Sequence, residues 1–241
     1  MSIVYRGKNA KTDYNLEILS DLSFENAARD VEIVEIPGRD SDIVIDNGRY
    51  KPVSADISFV MWRKSSFTTF ENQMNAVKNW LSAAFGYSNM TWYPEPNYIY
   101  RARVDGSIKI KPVDKTKAIV DVKFILSPSK YLVDGAASQA LSNGGTLNNL
   151  GLVNSQPSIT LTGTGNVTLT VNDKNYVFKN ITGGLIIDSE NKVATNLSKS
   201  QAQWDKVYTW PLPMLKTGSN VISWDNSAFT VTIVPNWCEL V

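Results

Sequence analysis

Apolar and polar residues alternate along several stretches of the chain, and this period of two constrains the fold more than any other feature. Between Lys117 and Leu126, one face of an extended chain carries Ala118, Val120, Val122, Phe124 and Leu126. Such alternation is typical of a strand that buries one face. The same pattern predicts strands from Val53 to Trp62 and from Arg101 to Lys111. The dipeptide Asn47-Gly48 predicts a tight hairpin turn.

One segment of the first part has helical periodicity instead. Apolar residues recur three or four positions apart at Phe70, Met74, Val77 and Leu81. Thr68 and Glu71 have the spacing of a capping box. We therefore expect a helix that begins after Thr68, ends before Gly86 and buries its apolar stripe in its own domain.

The second part of the chain is predicted to be nearly all β. Short apolar segments separated by Gly, Asn and Asp occur at Ser158 to Thr162, Val167 to Val171, Tyr176 to Phe178, Leu185 to Ile187, Asn220 to Trp224 and Phe229 to Val234. Strands of this length and spacing are typical of a β-sandwich. The whole chain is therefore expected to be mostly β, with one helix in its first part.

Charge and small residues indicate where the two parts meet. Most charged residues lie in the first part, and the stretch from Ser127 to Gly145 is rich in Ser, Gly and Ala. Such a stretch is typical of a connection between domains. We place the boundary near residue 135, which gives domains of residues 1–135 and 136–241.

Composition removes several classes of function. With 24 basic and 23 acidic residues, the net charge of +1 provides no global field for nucleic acid or an anionic membrane. Histidine is absent, which excludes Ser-His-Asp, Cys-His and histidine-based zinc sites. A hydrolase that uses carboxylates alone stays open, but no paired signature supports it. We expect no enzyme activity, no catalytic residue, no metal and no cofactor.

Export and disulfide signals are also missing. The beginning of the sequence has no apolar run of the signal-peptide kind, and no segment has the length and apolarity of a membrane span. Cys238 is the single cysteine, so the chain cannot form an internal disulfide. We expect a protein that is not inserted in a membrane and is not exported through a signal peptide.

A sharp turn follows the alternating stretch from Val31 to Ile36. Pro37 presets the backbone for the second position of a tight turn and Gly38 supplies a positive φ at the third, so Pro37-Gly38 predicts a type II turn. Arg39 and Asp40 come directly after it.

The phrase around this turn resembles the distal tail proteins of long-tailed, siphovirus-type bacteriophages. The resemblance continues in the second half through spaced residues in a fixed order: Asn149 and Gly151; Ser155, Pro157 and Ile159; Gly163 and Gly165; Asp188, Ser189 and Glu190; Pro213, Leu215, Gly218, Asn220, Ile222 and Trp224; Val231, Ile233, Pro235 and Trp237. Each piece alone suits an ordinary turn or strand. Their order over nearly the whole chain is what makes the resemblance specific.

The resemblance implies a structural role in the virion. Proteins of this family form hexameric rings between the tail tube and the baseplate. In these rings an N-terminal β-sandwich-like domain closes the ring, and a C-terminal galectin-like sandwich projects outward. The implied partners are five further copies, the tail tube protein, a tail-associated lysin and other baseplate proteins, with a receptor-binding protein as a further candidate. The implied location is the phage tail tip, after synthesis in the bacterial cytoplasm, around a central channel for DNA.

Two interpretations of the turn residues remain open. Pro37, Gly38, Arg39 and Asp40 are candidates for a subunit interface, because an arginine fork pairs well with a neighbouring carboxylate. Alternatively, the turn is exposed and closed by its own Arg-Asp pair. Asp40, Asp42 and Asp46 do not have the register of a calcium loop.

The basic residues with odd numbers between Arg101 and Lys123 also allow two interpretations. Arg101, Arg103, Lys109 and Lys111 are candidates for a channel wall or a contact with an acidic partner. The alternative that we favour is the solvated outer face of a sheet. Many phosphate contacts would impede DNA sliding through a conduit, so specific nucleic-acid binding is not expected.

Tryptophans in the second part suggest an alternative function, a carbohydrate-binding module that contributes to host-surface adhesion. Trp224 and Trp237 occupy strand positions and are expected in the core. Trp204 and Trp210 flank a predicted loop, so they are the candidates for contact with a sugar or a protein.

Overall fold

The computed structural model describes residues 2–19, 25–83 and 85–241. This part of the chain is mostly β, with one long helix, as the sequence predicts. It forms two compact units. The first contains Met1–Lys130 together with Leu240–Val241, and the second contains Tyr131–Glu239. The division thus falls shortly before residue 135.

The first unit is built around one large sheet. Its elements are Ile3–Tyr5 (β1), Lys8–Asn9 (β2), Ala10–Tyr14 (α1), Leu16–Ile18 (β3), Arg29–Val34 (β4), Ile43–Tyr50 (β5), Val53–Trp62 (β6), Phe70–Ser82 (α2), Ser88–Trp92 (β7), Tyr98–Val104 (β8), Lys109–Pro112 (β9) and Lys117–Leu132 (β10). The large sheet has the order β2-β1-β7-β8-β10-β6-β3, and β9 pairs with β10 outside this path. Strands β4 and β5 form a separate two-stranded sheet.

The antiparallel pair β6 and β10 forms the centre of this sheet. Val53 lies opposite Leu126 at one end of the ladder, and Trp62 lies opposite Lys117 at the other. Alternate residues of both strands are buried, including Phe59. The two strands predicted from alternation are therefore confirmed, and β10 continues beyond the predicted end.

The single strand predicted from Arg101 to Lys111 is wrong. The chain forms two strands there, β8 and β9, which are separated by a turn in which Gly106 has a φ of 72°. Both strands pair with β10. The alternation across the turn is real, but a left-handed residue breaks the extended backbone between the two strands.

Helix α2 confirms the predicted helix with a shifted cap. The side chain of Thr69, not Thr68, accepts a hydrogen bond from the backbone N–H of Asn72 at 3.1 Å. Phe70, Val77 and Leu81 are buried as expected, and they pack in the core of the first unit.

A fully buried glutamine connects α2 to the strands beside it. The Gln73 side chain accepts a hydrogen bond from the Lys64 backbone N–H at 2.8 Å. Its amide nitrogen donates to the carbonyl oxygens of Tyr14 at 2.7 Å and Trp62 at 2.9 Å. The Gln73 amide thus replaces water for three backbone groups of the segments that pack beside the helix.

We expect Gln73→Leu to lower the free energy of unfolding by about 2 to 4 kcal/mol, because the substitution leaves these backbone groups without partners. Denaturant unfolding measures the change. The matched control is Asn75→Leu, which also replaces an amide side chain by leucine, at an exposed position of the same helix. It should shift stability by less than about 0.5 kcal/mol. Equal unfolding midpoints for the two variants would contradict the role given to Gln73.

The second unit contains two sheets. Its strands are Gln139–Ala140 (β11), Gly145–Asn149 (β12), Ser158–Thr162 (β13), Gly165–Val171 (β14), Lys174–Ile181 (β15), Leu185–Asp188 (β16), Val193–Thr195 (β17), Gly218–Trp224 (β18) and Thr230–Val234 (β19). The last strand of the chain, Cys238–Leu240 (β20), belongs to neither of these sheets and pairs with β10. One sheet has the order β11-β19-β13-β16-β17, and the other has the order β12-β18-β14-β15. Short 3-10 helices lie at Val133–Ala136 and Trp204–Lys206.

Apolar residues from both sheets form one core in the second unit. Ile159, Ile187 and Ile233 come from the first of these sheets, whereas Leu169 and Phe178 come from the second. A sandwich is the arrangement in which two sheets bury their facing sides against each other. The predicted sandwich and the strands predicted for it are therefore confirmed, but strands β11, β12 and β17 were not predicted.

Several of the spaced residues that carry the resemblance in the second half have a structural role in this unit. The Gly151 N–H donates to the Asn149 side chain at 2.9 Å, and a Cβ on Gly151 would lie 2.7 Å from the Cys238 nitrogen. The buried Asn220 side chain donates to the Lys216 and Gly218 carbonyl oxygens. These positions specify turns and close backbone contacts, so they identify a fold and not a chemistry.

Candidate functional site

The two-stranded sheet of the first unit, residues 29–50, is the most exposed regular structure in the described chain, and we name it the ribbon. Val31 lies opposite Asp46, and Val34 lies opposite Ile43. Within the described residues, the two strands pair only with each other. Both outer edges of the ribbon therefore lack a neighbouring strand from this part of the chain.

The ribbon reverses direction at residues 35–42 and not at Asn47-Gly48, where the predicted hairpin turn is wrong. Asn47 and Gly48 lie inside β5. There the Gly48 N–H donates to the Asp46 carboxylate at 2.8 Å, and the strand register shifts between Arg29 and Val31. Gly48 has a φ of 70°, so the Asn-Gly pair forms a bulge instead of a turn.

The predicted type II turn is confirmed at the tip of the ribbon. The Arg39 N–H donates to the Ile36 carbonyl oxygen at 3.1 Å, and Gly38 has a φ of 84°. Only glycine adopts this φ without strain. Arg39 and Asp40 are exposed, and no ion pair joins their side chains in the part of the chain that the structure describes.

Apolar side chains lie on both faces of the ribbon. Ile33 and Val44 are directly opposite each other on one face, with 60% and 63% of their surface exposed. Ile43 and Ile45 are exposed on the other face. A two-stranded sheet has little stability of its own, and an uncovered apolar edge strand favours pairing with another chain. The ribbon therefore has the properties of an interaction surface.

The turn was predicted from the sequence, but the apolar faces beside it were not. The signal was present in Ile43, Val44 and Ile45, because three consecutive apolar residues in a strand must place apolar side chains on both faces. A strand of this kind is either buried on both sides by its own fold or covered by a partner.

Charged residues hold the base of the ribbon. The Arg29 guanidinium donates two hydrogen bonds to the Asp46 carboxylate, at 3.0 and 2.6 Å, and lies 4.9 Å from the centre of the Tyr50 ring. Arg49 donates to Asp30 at 2.6 Å. These contacts join the two strands of the ribbon to each other at the end away from the turn, and none of them lies at the apolar tip.

The same contacts change the titration of the two carboxyl groups. The hydrogen bond from Arg29, followed by the one from the Gly48 N–H, holds the pKa of Asp46 below its ordinary value. The hydrogen bond from Arg49 lowers the pKa of Asp30, against a smaller opposing effect of desolvation. Both groups therefore stay ionised at neutral pH and keep their arginine partners.

The structure places the predicted basic residues on strands beside β10. Arg101 and Arg103 lie on β8, and Lys109 and Lys111 lie on β9. Arg103 pairs with Asp105 at 2.9 Å and Lys111 pairs with Asp121 at 3.1 Å. Neighbouring carboxylates thus balance at least two of the four charges.

In the second unit, the structure brings the two candidate tryptophans together. The ring centres of Trp204 and Trp210 are 5.9 Å apart with planes tilted by 59°, and 40% and 59% of their surfaces are exposed. Trp237 is buried and Trp224 packs against the core, as predicted.

Metal ligation and membrane crossing find no support in residues 2–19, 25–83 and 85–241. These residues contain no group of three Cys, Asp or Glu side chains placed to hold a metal ion. No helix in the same residues is long and apolar enough to cross a membrane.

The fold and the ribbon define a class of protein: a mostly β chain of two compact units, the second a sandwich, whose first unit carries an uncovered β-ribbon. A solved structure with this fold is that of the SPP1 Dit protein, described as a paradigm of the hub adsorption apparatus in phages that infect Gram-positive bacteria. The two have a TM-score of 0.64, and the alignment covers 96% of each chain at 14% sequence identity. No protein-family description and no curated protein sequence matches the chain. The likeness is one of fold.

We expect the pKa of Asp46 to rise toward its ordinary value of 3.8 in Arg29→Gln, because the substitution removes the strongest group that lowers it. The pair should favour the folded ribbon above the unfolded pKa, and this contribution should disappear as the pH falls through the lowered pKa. Carboxyl-carbon NMR titration measures the value directly. Arg39→Gln at the tip is the matched control and should leave Asp46 unchanged. A pKa of Asp46 that does not respond to Arg29→Gln would show that the pair does not form in solution.

Proposed function

We propose that this protein is a structural subunit of a phage tail tip, in which copies of the chain close into a ring through the ribbon. The observation that carries the proposal is the exposure of Ile33 and Val44 at the centre of a sheet with two unpaired edges in the described chain. The similarity in fold to a phage hub protein supports the same role. The function is one of shape and assembly, and the protein is proposed to have no enzyme activity and no cofactor.

The ribbon favours a contact between unlike surfaces of neighbouring copies. A ribbon on one subunit that packs against a different surface of the next subunit gives a head-to-tail contact. Contacts of this kind close into a ring when a whole number of identical rotations from one subunit to the next completes a full turn. We propose a ring of six, as the resemblance to distal tail proteins implies. Covering the apolar residues of each ribbon then stabilises every subunit boundary.

The turn at the tip of the ribbon is proposed to contribute to the contact between subunits. Pro37 and Gly38 fix the direction of the chain, and the exposed Arg39 guanidinium has five donors in a rigid fork. We propose that Arg39 pairs with a carboxylate of the adjacent subunit and that Asp40 lies at the rim of the same contact. The apolar residues supply most of the stability, and the charges supply orientation.

The balanced charge on β8 and β9 is compatible with a ring around a DNA passage. Arg103 and Lys111 already have aspartate partners, so they offer few unpaired charges to a phosphate backbone. A conduit requires this property, since many phosphate contacts would hold the DNA in place. We propose that no specific nucleic-acid binding occurs.

The proposed ring would lie at the phage tail tip after synthesis in the bacterial cytoplasm. Its proposed partners are the tail tube protein on one side and a tail-associated lysin with other baseplate proteins on the other. A receptor-binding protein is a further proposed partner. We propose that the second unit, as a galectin-like sandwich, projects from the ring.

We expect the double substitution Ile33→Asp with Val44→Asp to abolish ring formation, because it places two charges at the centre of the apolar contact. Native mass spectrometry and electron microscopy of the purified protein measure assembly. The wild-type chain should give closed particles of six copies. The double variant should give monomers whose thermal unfolding is within a few degrees of the wild-type value.

The matched control is Val113→Asp, which introduces the same charge at an exposed valine of the first unit outside the ribbon. It should assemble as the wild type does. Rings that persist in the double variant would exclude the ribbon as the subunit contact. Closed particles of another order would exclude the six-fold ring.

A further inference from the structure

Two exposed aromatic side chains lie in the loop that joins α2 to β7, at one end of the large sheet. Phe85 is 99% exposed and Tyr87 is 46% exposed. A phenyl ring that contacts solvent on almost every side adds nothing to the core of its own unit. Aromatic residues are enriched where one protein packs against another. The loop is therefore a candidate contact surface outside the ribbon.

Hydrogen bonds place a basic side chain beside this loop. The Arg6 guanidinium donates to the Trp80 carbonyl oxygen near the end of α2 at 3.3 Å. The Arg6 backbone N–H donates to the Asn89 carbonyl oxygen of β7 at 3.1 Å. Arg6 thus contacts both of the elements that the loop connects. Lys78 is exposed on α2, two residues before Trp80.

A third basic side chain comes from β8. Ser88 of β7 lies opposite Ala102 of β8 in the antiparallel ladder, so Tyr87 and Arg103 come next at the end of the same pair of strands. Arg103 also pairs with Asp105 at 2.9 Å. We name the surface that these side chains form with the loop the aromatic corner, and it consists of Arg6, Lys78, Phe85, Tyr87 and Arg103.

The aromatic corner has an excess of positive charge. The segments that form it, residues 6–7, 78–87 and 101–105, contain four basic residues and one acidic residue, for a net charge of +3. The acidic residue is Asp105, which offsets Arg103. Arg6 and Lys78 make no ion pair within the part of the chain that the structure describes. On α2, the acidic residue Glu71 lies about two turns before Lys78. The aromatic corner thus offers cations around an apolar centre.

The tip of the ribbon has the opposite charge. Residues 32–42 contain four acidic residues and one basic residue, for a net charge of −3. All four acidic residues are exposed and none makes an ion pair among the described residues; they are Glu32, Glu35, Asp40 and Asp42. Between them, Ile36 is 41% exposed. The tip therefore offers carboxylates around an apolar residue, which complements the aromatic corner in charge and in polarity.

We propose that the aromatic corner of one copy receives the ribbon tip of the next copy in the ring. Ile36 packs against Phe85, and carboxylates of the tip pair with Arg6 and Lys78. The tip and the aromatic corner are different surfaces of the same unit, as a head-to-tail contact requires. The inference rests on the proposed function, because it identifies the surface of the neighbouring subunit that the ribbon contacts.

The first test removes the aromatic centre. Phe85→Ala should raise the concentration at which rings dissociate by about tenfold or more, because aromatic anchors contribute strongly to protein contacts. Native mass spectrometry over a dilution series measures this concentration. The unfolding temperature of the dilute monomer should not change, because the ring of Phe85 is outside its own core. The matched control is Tyr93→Ala, which removes an exposed aromatic side chain just after the opposite end of β7 and should leave dissociation unchanged.

The second test reverses the charge on each side of the contact. Arg6→Glu with Lys78→Glu reverses the aromatic corner, and Glu35→Lys with Asp42→Lys reverses the tip. Each double variant alone should fail to form rings, because surfaces of like charge then face each other. An equimolar mixture of the two variants should form rings again, since each reversed surface then meets one of opposite charge. With one variant labelled with ¹⁵N, native mass spectrometry should show alternating rings with equal numbers of the two chains.

The control for charge reversal is Lys115→Glu with Lys199→Glu, which changes two exposed lysines outside the aromatic corner and should assemble as the wild type does. Normal rings in Phe85→Ala and in the reversed aromatic corner, together with monomers in Ile33→Asp with Val44→Asp, would overturn this inference and leave the ribbon contact in place. A mixture of the two reversed variants that stays monomeric would also overturn it. Rings in the variant at Ile33 and Val44 would instead exclude the ribbon contact itself.

Discussion

A two-stranded ribbon with apolar side chains on both faces cannot cover its own surface, and this constraint connects the fold to the proposed function. The large sheet of the first unit buries its apolar residues within its own core. The ribbon does not, because Ile33 and Val44 face solvent. The Arg29–Asp46 and Arg49–Asp30 pairs join its two strands to each other at the end away from the turn. In the proposed ring, a second copy of the chain covers this surface.

The two units expose different kinds of surface. In the first unit, the ladder of β6 and β10 and the satisfied amide of Gln73 stabilise the large sheet and the helix beside it. In the second unit, the sandwich core supports a segment on which Trp210 is exposed. The ribbon surface is apolar and elongated, which suits a protein partner.

Much of this fold could be predicted from the sequence because period-two alternation is a local signal. It located β6 and the start of β10 at Val53 and Lys117, and helical spacing located α2. The errors arose where backbone geometry overrides the pattern. Gly48 has a positive φ but belongs to a bulge inside β5, and Gly106 interrupts an alternation that continues on both sides of it. A dipeptide alone does not distinguish a bulge from a turn, because both need the same left-handed residue.

The candidate sites were harder to predict, since they depend on residues that are distant in the sequence. Trp204 and Trp210 could be proposed from their loop positions, but Arg6 comes to lie beside the loop of Phe85 only after β1 has paired with β7. The role of Gln73 could not be predicted for the same reason, because its partners Tyr14, Trp62 and Lys64 belong to other segments of the chain.

The central claim is that a neighbouring subunit covers the ribbon. The most direct test is hydrogen exchange of the ribbon amides in assembled particles and in monomers. Assembly should slow exchange across β4 and β5, whereas equal exchange in the two states would contradict a ribbon covered by its neighbour.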